Sequence, residues 1–332
     1  MTTALRTRPS ARGVAASAAG GGRGGRRRRT LAIALMLAPA VAGLAIFFVY
    51  PLIASIYYSF TRYDLVSAPE WIGWRNYSYL FTQDPKVWVA TLNTLWFVVF
   101  LVPIKIVFAL GIAGLLVRAK RASGVWRTIF YLPALVPPVA SVVAFVFLFN
   151  PGTGPVNQIL KAVGIHGPLW FNDPDWSKPS LVILGIWVMG DIMVIFLASL
   201  LDVPREQYEA AALDGATGAQ QVRYVTLPNI RPVLMFAVVT GVIAALQYFT
   251  EAAVASGVAS GKAIIGEGTG ANLGYPDNSL LTYTQWLYVR GFANYQLGYA
   301  SALAVLLFLI ASVLLVVLLR RFRAFTPENT TA

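Results

Sequence analysis

Six long apolar runs, separated by polar stretches, dominate the pattern of the chain. They extend approximately over residues 30–60, 87–117, 128–150, 180–201, 233–249 and 296–319. A bilayer core of about 30 Å requires roughly 20 apolar residues in a helix, and each run approaches or exceeds that length. The strands of a membrane β-barrel would be shorter and would alternate apolar with polar residues. The pattern therefore predicts an all-α protein, a polytopic membrane bundle of six transmembrane helices.

Prolines and one cation interrupt the apolar runs. Pro103 in the second run removes a backbone donor and kinks a helix, and Pro137-Pro138 predict a bent or broken third span. Lys105 also lies in the second run, where a charge is costly unless it faces protein or water. We expect Lys105 to reach the interface or to pair within the bundle, with a substrate contact as the alternative.

The net charge of +12 would suit nucleic-acid binding, but the positions of the basic residues indicate membrane topology instead. They cluster at residues 26–29, 118–127, 223–231 and 320–323. Alternation across six spans places all four clusters on one side, which the positive-inside rule makes cytoplasmic. Both termini are therefore expected in the cytoplasm, and no nucleic-acid partner is expected.

This topology divides the chain into three parts. Residues 1–29, rich in Ala, Gly, Ser and Arg, are predicted to be a disordered basic cytoplasmic tail. Residues 30–323 form the transmembrane domain, and residues 324–332 form a cytoplasmic C-terminal tail. Within the domain, residues 202–232, here called the polar loop, separate the fourth and fifth runs.

The composition gives little support for a catalytic activity of this chain. The chain has no cysteine, and its one histidine, His166, lies in a predicted loop without ligand partners nearby. No Gly-x-x-x-x-Gly-Lys-Ser/Thr motif is present, so the chain is not expected to hydrolyse ATP by that route. We predict no catalytic residue, no metal site and no cofactor in the chain itself, and a membrane-embedded enzyme is the weakest of the function classes.

The polar loop has the features of a short helix outside the bilayer. Ala210, Ala211 and Ala212 are strong helix formers, and Glu209 lies in an early turn, where the helix dipole favours an acid. Gly215 permits a sharp change of direction, and Pro228 and Pro232 are expected to end the segment. On composition alone, an ordinary surface helical hairpin would explain it.

The order of these residues resembles a known motif. Glu209-Ala210-Ala211, then Gly215, then Val225-Thr226-Leu227-Pro228 match the cytoplasmic coupling loop of ABC importer permeases, the Glu-Ala-Ala motif. Trp187, Gly190 and the phrases at 154–157 and 298–302 look like the carbohydrate-importer subgroup. The resemblance covers residues 31–321 and is to the short six-span members, with a type I ABC importer permease fold.

The resemblance implies a set of partners and a location. The coupling residues would be Glu209, Ala210, Ala211, Asp214, Gly215, Leu227 and Pro228. They would contact a cytoplasmic dimer of ATPase subunits, which bind ATP and magnesium. A second permease, expected to be a different chain, and an extracellular or lipid-anchored sugar-binding protein would complete the complex. The location would be the bacterial plasma membrane, and the substrate a di- or oligosaccharide.

The resemblance also implies a substrate cavity along the middle spans. The matching residues are Gly190, Asp191, Met193, Gln247, Tyr248 and Glu251. A carboxylate inside a span needs a reason, so Asp191 is the most informative of them. A structural hydrogen bond to a neighbouring helix is the alternative for Asp191, and packing is the alternative for Tyr248.

Two other transport functions stay open. One is a permease for glycerol-phosphate or a polyol, although a phosphate would favour more cations than Lys105 within the spans. The other is an ion-coupled secondary transporter, which would carry its own coupling carboxylates and broken-helix repeats. The outer loop over residues 250–295 departs from the usual pattern, which leaves the identity of the sugar open.

Overall fold

The computed structural model describes residues 23–119, 123–261 and 272–323. The α-helices are α1 (Arg23–Leu44), α2 (Tyr50–Ser59), α3 (Arg75–Thr82), α4 (Pro85–Arg118), α5 (Ser123–Tyr131), α6 (Pro138–Leu148), α7 (Pro155–Ala162), α8 (Pro174–Trp187), α9 (Gly190–Leu201), α10 (Arg205–Leu213), α11 (Gly218–Gln221), α12 (Leu227–Asn229), α13 (Arg231–Leu246), α14 (Thr250–Ala259), α15 (Tyr283–Tyr288) and α16 (Leu297–Arg323). Strands β1 (Thr61–Arg62) and β2 (Glu70–Trp71) pair antiparallel in a small ribbon.

The described residues fall into two units, divided after Ser55. In the first, α1 passes through a π-helical turn, Ala45–Val49, into the beginning of α2. Helix α1 begins at Arg23, ahead of the predicted boundary after residue 29, so part of the predicted tail is helical. Residues 1–22 and 324–332, which hold the rest of the two predicted tails, lie outside the described residues.

The spans agree in number with the prediction. By length and composition, three continuous helices can cross a membrane, namely Thr30–Ser59, Pro85–Arg118 and Leu297–Arg321. Three bent pairs, Gly124–Leu135 with Pro138–Leu148, Pro174–Trp187 with Gly190–Leu201, and Gly218–Asn229 with Arg231–Leu246, bring the total to as many as six. The predicted class, a helical membrane bundle, is confirmed.

Only the break in the third span follows from its prolines as predicted. The two halves meet at 98° around Pro137-Pro138. The fourth span, predicted as continuous, bends by 47° before Gly190, where no proline is present. The fifth bends by 72° at Ile230, and Pro232 lies in the first turn of a new helix instead of ending a segment. A proline in the first turn gives up no hydrogen bond, which explains that difference.

Helix α4 is the central element of the second unit. Helices α8, α9, α13 and α15 pack against it. Phe97 of α4, Leu181 of α8 and Met193 of α9 are fully buried in the shared core. Small residues allow close approach, because a Cβ at Gly185 would meet Leu101 and a Cβ at Gly241 would meet Val102.

Buried polar groups on α4 position the chain at residues 278–283. The Asn93 amide donates to the Asn278 carbonyl at 2.8 Å and accepts from Lys178 Nζ at 2.9 Å. At the next residue, the Thr94 hydroxyl accepts from the Tyr283 N–H at 2.9 Å. Asn93 and Thr94 therefore both have partners, and together they anchor residues 278–283 to α4.

A buried ion pair closes the end of the bundle where α4 begins. Asp84 caps α4 by accepting from the Lys86 N–H at 3.1 Å. Its Oδ2 accepts from Trp286 Nε1 at 2.9 Å, Arg290 Nη2 at 2.9 Å and the Tyr299 hydroxyl at 2.8 Å. Burial raises the pKa of the Asp84 carboxyl, but the hydrogen bonds from Trp286, Tyr299 and Arg290 together hold it below its usual value.

Substituting Asp84→Asn should destabilise the fold strongly, because it leaves the Arg290 guanidinium without a counter-charge. Removing one partner of a buried pair costs roughly 3–5 kcal/mol. Since the folded carboxyl has a lowered pKa, this stabilisation is complete above the ordinary carboxyl pKa and is lost as the pH falls through the folded value. Thermal unfolding in detergent, followed at several pH values, measures both effects.

The matched control is Glu70→Gln, which breaks the Arg62–Glu70 pair at 3.2 Å, where both side chains are largely exposed. Exposed pairs contribute little, so this variant should unfold close to wild type. Equal losses of thermal stability in the two variants would show that the buried Asp84 cluster stabilises the fold no more than the exposed Arg62–Glu70 pair does.

Candidate functional site

A cavity of about 490 Å³ lies between α4, α8, α9 and α13, with residues 247–251 completing its wall. Most of its lining is apolar. The polar groups that line it are Lys105, Asp191, Thr240, Gln247, Tyr248, Thr250 and Glu251. A largely apolar cavity with a few convergent polar groups is the usual form of a small-molecule site.

The charged groups of the cavity come from three different parts of the bundle. Lys105 Nζ on α4 lies 3.5 Å from Asp191 Oδ1 on α9, and the two side chains are 29% and 64% exposed. Glu251, at the beginning of α14, lines the same cavity. Lys105 therefore pairs within the bundle, which is one of the two structural outcomes expected for it.

The structure brings four of the six predicted substrate residues together. Asp191, Gln247, Tyr248 and Glu251 all line the cavity. The Tyr248 ring also packs on Phe97, with ring centroids 4.8 Å apart, so the packing alternative describes part of its role.

Gly190 and Met193 do not lie among the lining residues. Met193 is fully buried in the core. Gly190 lies against the backbone of the third span, where a Cβ would meet the Phe130 carbonyl and come within 2.7 Å of Tyr131 Cα. Close helix contact accounts for a glycine at 190 in this structure, and its substrate contact stays a prediction.

Three polar lining residues, Lys105, Thr240 and Thr250, were not in the predicted substrate set. For Lys105 a substrate contact was only the alternative to pairing or reaching the interface. Lys105 and Thr240 are polar residues inside apolar helices, and that property is the sequence signal that could have identified them.

The polar loop places its motif on an exposed helix. Glu209 and Ala210 are exposed on α10, and Ala211 is half-buried. Gly215 has a φ of +77°, and the helix ends with the Gly215 N–H bonded to the Ala212 carbonyl and the Ala216 N–H bonded to the Ala211 carbonyl. This is a Schellman ending, which needs a residue with left-handed backbone at Gly215.

The opposite face of α10 is attached to the rest of the loop. The Tyr208 hydroxyl lies 3.0 Å from Thr226 Oγ1, and the Asn229 amide donates to Gln207 Oε1 at 2.7 Å. Leu227 is half-buried and packs on the core, and Pro228 follows it, also half-buried. A displacement of α10 would therefore be transmitted to α12 and the beginning of the fifth span.

The exposed end of the polar loop carries an apolar residue that the motif did not single out. Leu213, the last residue of α10, is 90% exposed, and Asp214 and Gly215 beside it are exposed as well. Leu213 adds a large aliphatic side chain to the exposed end of the α10 surface.

The fold and these two regions define a membrane transport subunit. Residues 105–325 match the family described as binding-protein-dependent transport system inner membrane component, and the chain belongs to that family. It is a multi-pass membrane protein of the ABC permease class, as the resemblance of the polar loop predicted.

Individual relatives agree over most of the chain. It is 34% identical to the lactose transport system permease protein of Rhizobium radiobacter, over 84% of this chain and 90% of that protein. It is 32% identical to the sulfoquinovosyl glycerol transport system permease protein of Agrobacterium fabrum, over 87% and 89%. A chain from the crystal structure of a bacterial ABC transporter involved in the import of the acidic polysaccharide alginate shares the fold, with a TM-score of 0.72 and 23% identity over 91% of this chain and 98% of that one.

The packing role of Gly190 can be tested with Gly190→Ala. The added methyl group meets backbone atoms that cannot rotate away, and overpacking of this kind typically costs about 1–3 kcal/mol. The matched control is Gly111→Ala in α4, where a Cβ meets nothing within 4 Å and the helix propensity improves. Thermal unfolding should separate the two, with a loss only at 190. A Gly190→Ala protein that unfolds like wild type but has altered ligand affinity would instead support the predicted substrate contact.

Proposed function

We propose that this chain is the transmembrane permease subunit of an ATP-driven importer that takes up a di- or oligosaccharide delivered by an extracellular binding protein. The observation that carries the proposal is the polar loop, whose exposed α10 face bears the Glu-Ala-Ala motif while its other face is bonded to the chain entering the fifth span. Such a segment can receive force outside the bilayer and deliver it to a span.

The cytoplasmic partner is a dimer of ATPase subunits that bind ATP and magnesium. Glu209, Ala210, Asp214 and Gly215 supply the exposed contact surface, with Leu213 as its apolar centre. Ala211, Leu227 and Pro228 support that surface from beneath. The basic clusters flanking the spans support a cytoplasmic location for this loop and both termini in a bacterial cell.

The transport cycle is alternating access between two permease subunits. ATP binding closes the ATPase dimer, the two polar loops move with it, and the cavity opens toward the binding protein. Hydrolysis then returns the cavity to the cytoplasmic side. The second permease is expected to be a different chain, as the resemblance to carbohydrate-importer permeases implies.

A sugar is supported by both the cavity and the relatives. Gln247 and Thr240 offer hydrogen-bonding groups, and Tyr248 offers a ring face, the combination that saccharides require. The names of the lactose and sulfoquinovosyl glycerol permeases point to sugar-based substrates. A glycerol-phosphate or polyol permease is the second candidate, and an ion-coupled secondary transporter is disfavoured by the polar loop.

Co-purification tests the coupling part of the proposal. We expect ATPase subunits to be recovered with the tagged wild-type chain from its native membrane. Gly215→Asp and Glu209→Lys should abolish that recovery or uncouple ATPase activity from the binding protein, because both alter the exposed α10 surface.

Gly73→Asp is the matched control. Gly73 also has a left-handed φ, +63°, and open space around it, but it lies outside the polar loop. It should leave the complex intact although its backbone strain is comparable. A wild-type chain that purifies without ATPase subunits, with loop variants indistinguishable from it, would favour a secondary transporter.

A further inference from the structure

The names of the relatives leave the charge of the ligand open, and the charged side chains that line the cavity bear directly on it. The names of the relatives and of the structural neighbour include a neutral disaccharide, lactose, and an acidic polysaccharide, alginate. Whether the ligand of this chain is neutral or anionic must therefore be inferred from its own lining residues.

Lys105 is the only cation among the described residues that line the cavity, and it is already occupied. Asp191 Oδ1 lies 3.5 Å from its ammonium group, and Glu251 lines the same cavity from a different helix. Two carboxyl groups thus share the cavity lining with one ammonium group. An anionic ligand would find no unpaired cation here and would have to lose its hydration water without compensation.

We propose that this cavity selects by charge, taking neutral polyhydroxyl ligands and rejecting anionic ones, with Asp191 and Glu251 as the residues that reject the anion. This inference rests on the proposed function in treating the cavity as the passage for the sugar. It names the substrate class as a neutral saccharide, and it disfavours uronates, sulfonates and phosphate esters. Lys105 is a positioning residue in this arrangement, because it holds the Asp191 carboxylate at the cavity wall.

The neutral groups of the lining fit the same ligand class. Thr240, Gln247 and Tyr248 donate and accept hydrogen bonds without carrying charge. A ligand hydroxyl can also bond to a carboxylate as donor, which a ligand phosphate or carboxylate cannot do. Rejection of the anion and retention of the hydroxyl compound therefore use the same side chains.

The sign of the cavity potential can be measured without knowing the sugar. The chain has no native cysteine, so Thr240→Cys introduces one reactive thiol on the cavity wall. The probes are two methanethiosulfonate reagents of similar size, one with a trimethylammonium group and one with a sulfonate group. Both are applied to the detergent-solubilised complex, and the mass shift of this chain gives each labelling rate.

The matched control is Thr153→Cys, an exposed position outside the cavity. We expect the ratio of cationic to anionic labelling at 240 to exceed the ratio at 153 by about tenfold, in line with the electrostatic effects of clefts on local ion concentration. In the Thr240→Cys background, Glu251→Gln should lower that ratio several-fold while leaving the Lys105–Asp191 pair in place. Asp191→Asn should lower it further, and Lys105→Gln should raise it.

Two results would overturn the proposal. One is an anionic reagent that labels position 240 as readily, relative to its cationic counterpart, as it labels position 153. The other is a ratio that stays unchanged when Glu251 is neutralised. Because labelling needs neither ATP nor substrate, either result would leave the importer assignment untouched, and loss of ATPase recovery would leave the charge measurement valid.

Sugar uptake tests the same charge selection in a functional assay. Proteoliposomes containing the whole complex and its binding protein should accumulate a neutral oligosaccharide and exclude one with a uronate residue. Glu251→Gln changes the permease and not the binding protein, and it should reduce the difference in uptake between the two sugars. Equal uptake of the two sugars by the wild-type complex would contradict selection by this cavity.

Discussion

Polar side chains inside an apolar bundle must find their partners within the protein, and α4 shows how the rest of this structure follows from that constraint. Its cap, Asp84, binds Arg290, Trp286 and Tyr299. Asn93 binds the chain near residue 278, and Lys105 pairs with Asp191. Each of these contacts fixes one part of the bundle relative to the same helix.

The same constraint produces two different regions in the bundle, a closely packed one at the beginning of α4 and a partly open one around Lys105. At the beginning of α4 the polar groups are buried and closely paired, which leaves little room for a ligand. Around Lys105 the polar groups are partly exposed and stand around a cavity. Around the cavity, small residues on α8 and α13 let their helices approach α4 at Leu101 and Val102, and Lys105, Asp191 and Glu251 supply the charged part of the lining.

The features with a local cause could be predicted from the sequence. Run length predicted the spans, Pro137-Pro138 predicted the 98° break, and the order of the Glu-Ala-Ala motif predicted an α10 that is in fact helical and exposed. Long-range pairings could not be predicted in this way. Asp84 and Arg290 are 206 positions apart, so no local sequence pattern predicts their contact. The contact of Gly190 with the Phe130 backbone, beside the 47° bend of the fourth span, is likewise a pairing between distant parts of the chain.

The central claim is that the cavity opens alternately to the two sides of the membrane under the control of a partner ATPase. Its most direct test is the alkylation of Ala244→Cys, a lining position in a chain without native cysteines, in right-side-out and inside-out native membrane vesicles. The account predicts that a membrane-impermeant reagent reaches this thiol from one side without nucleotide and from the other side after trapping with ATP and vanadate. Labelling from the same side, at a rate that nucleotide does not change, would contradict it.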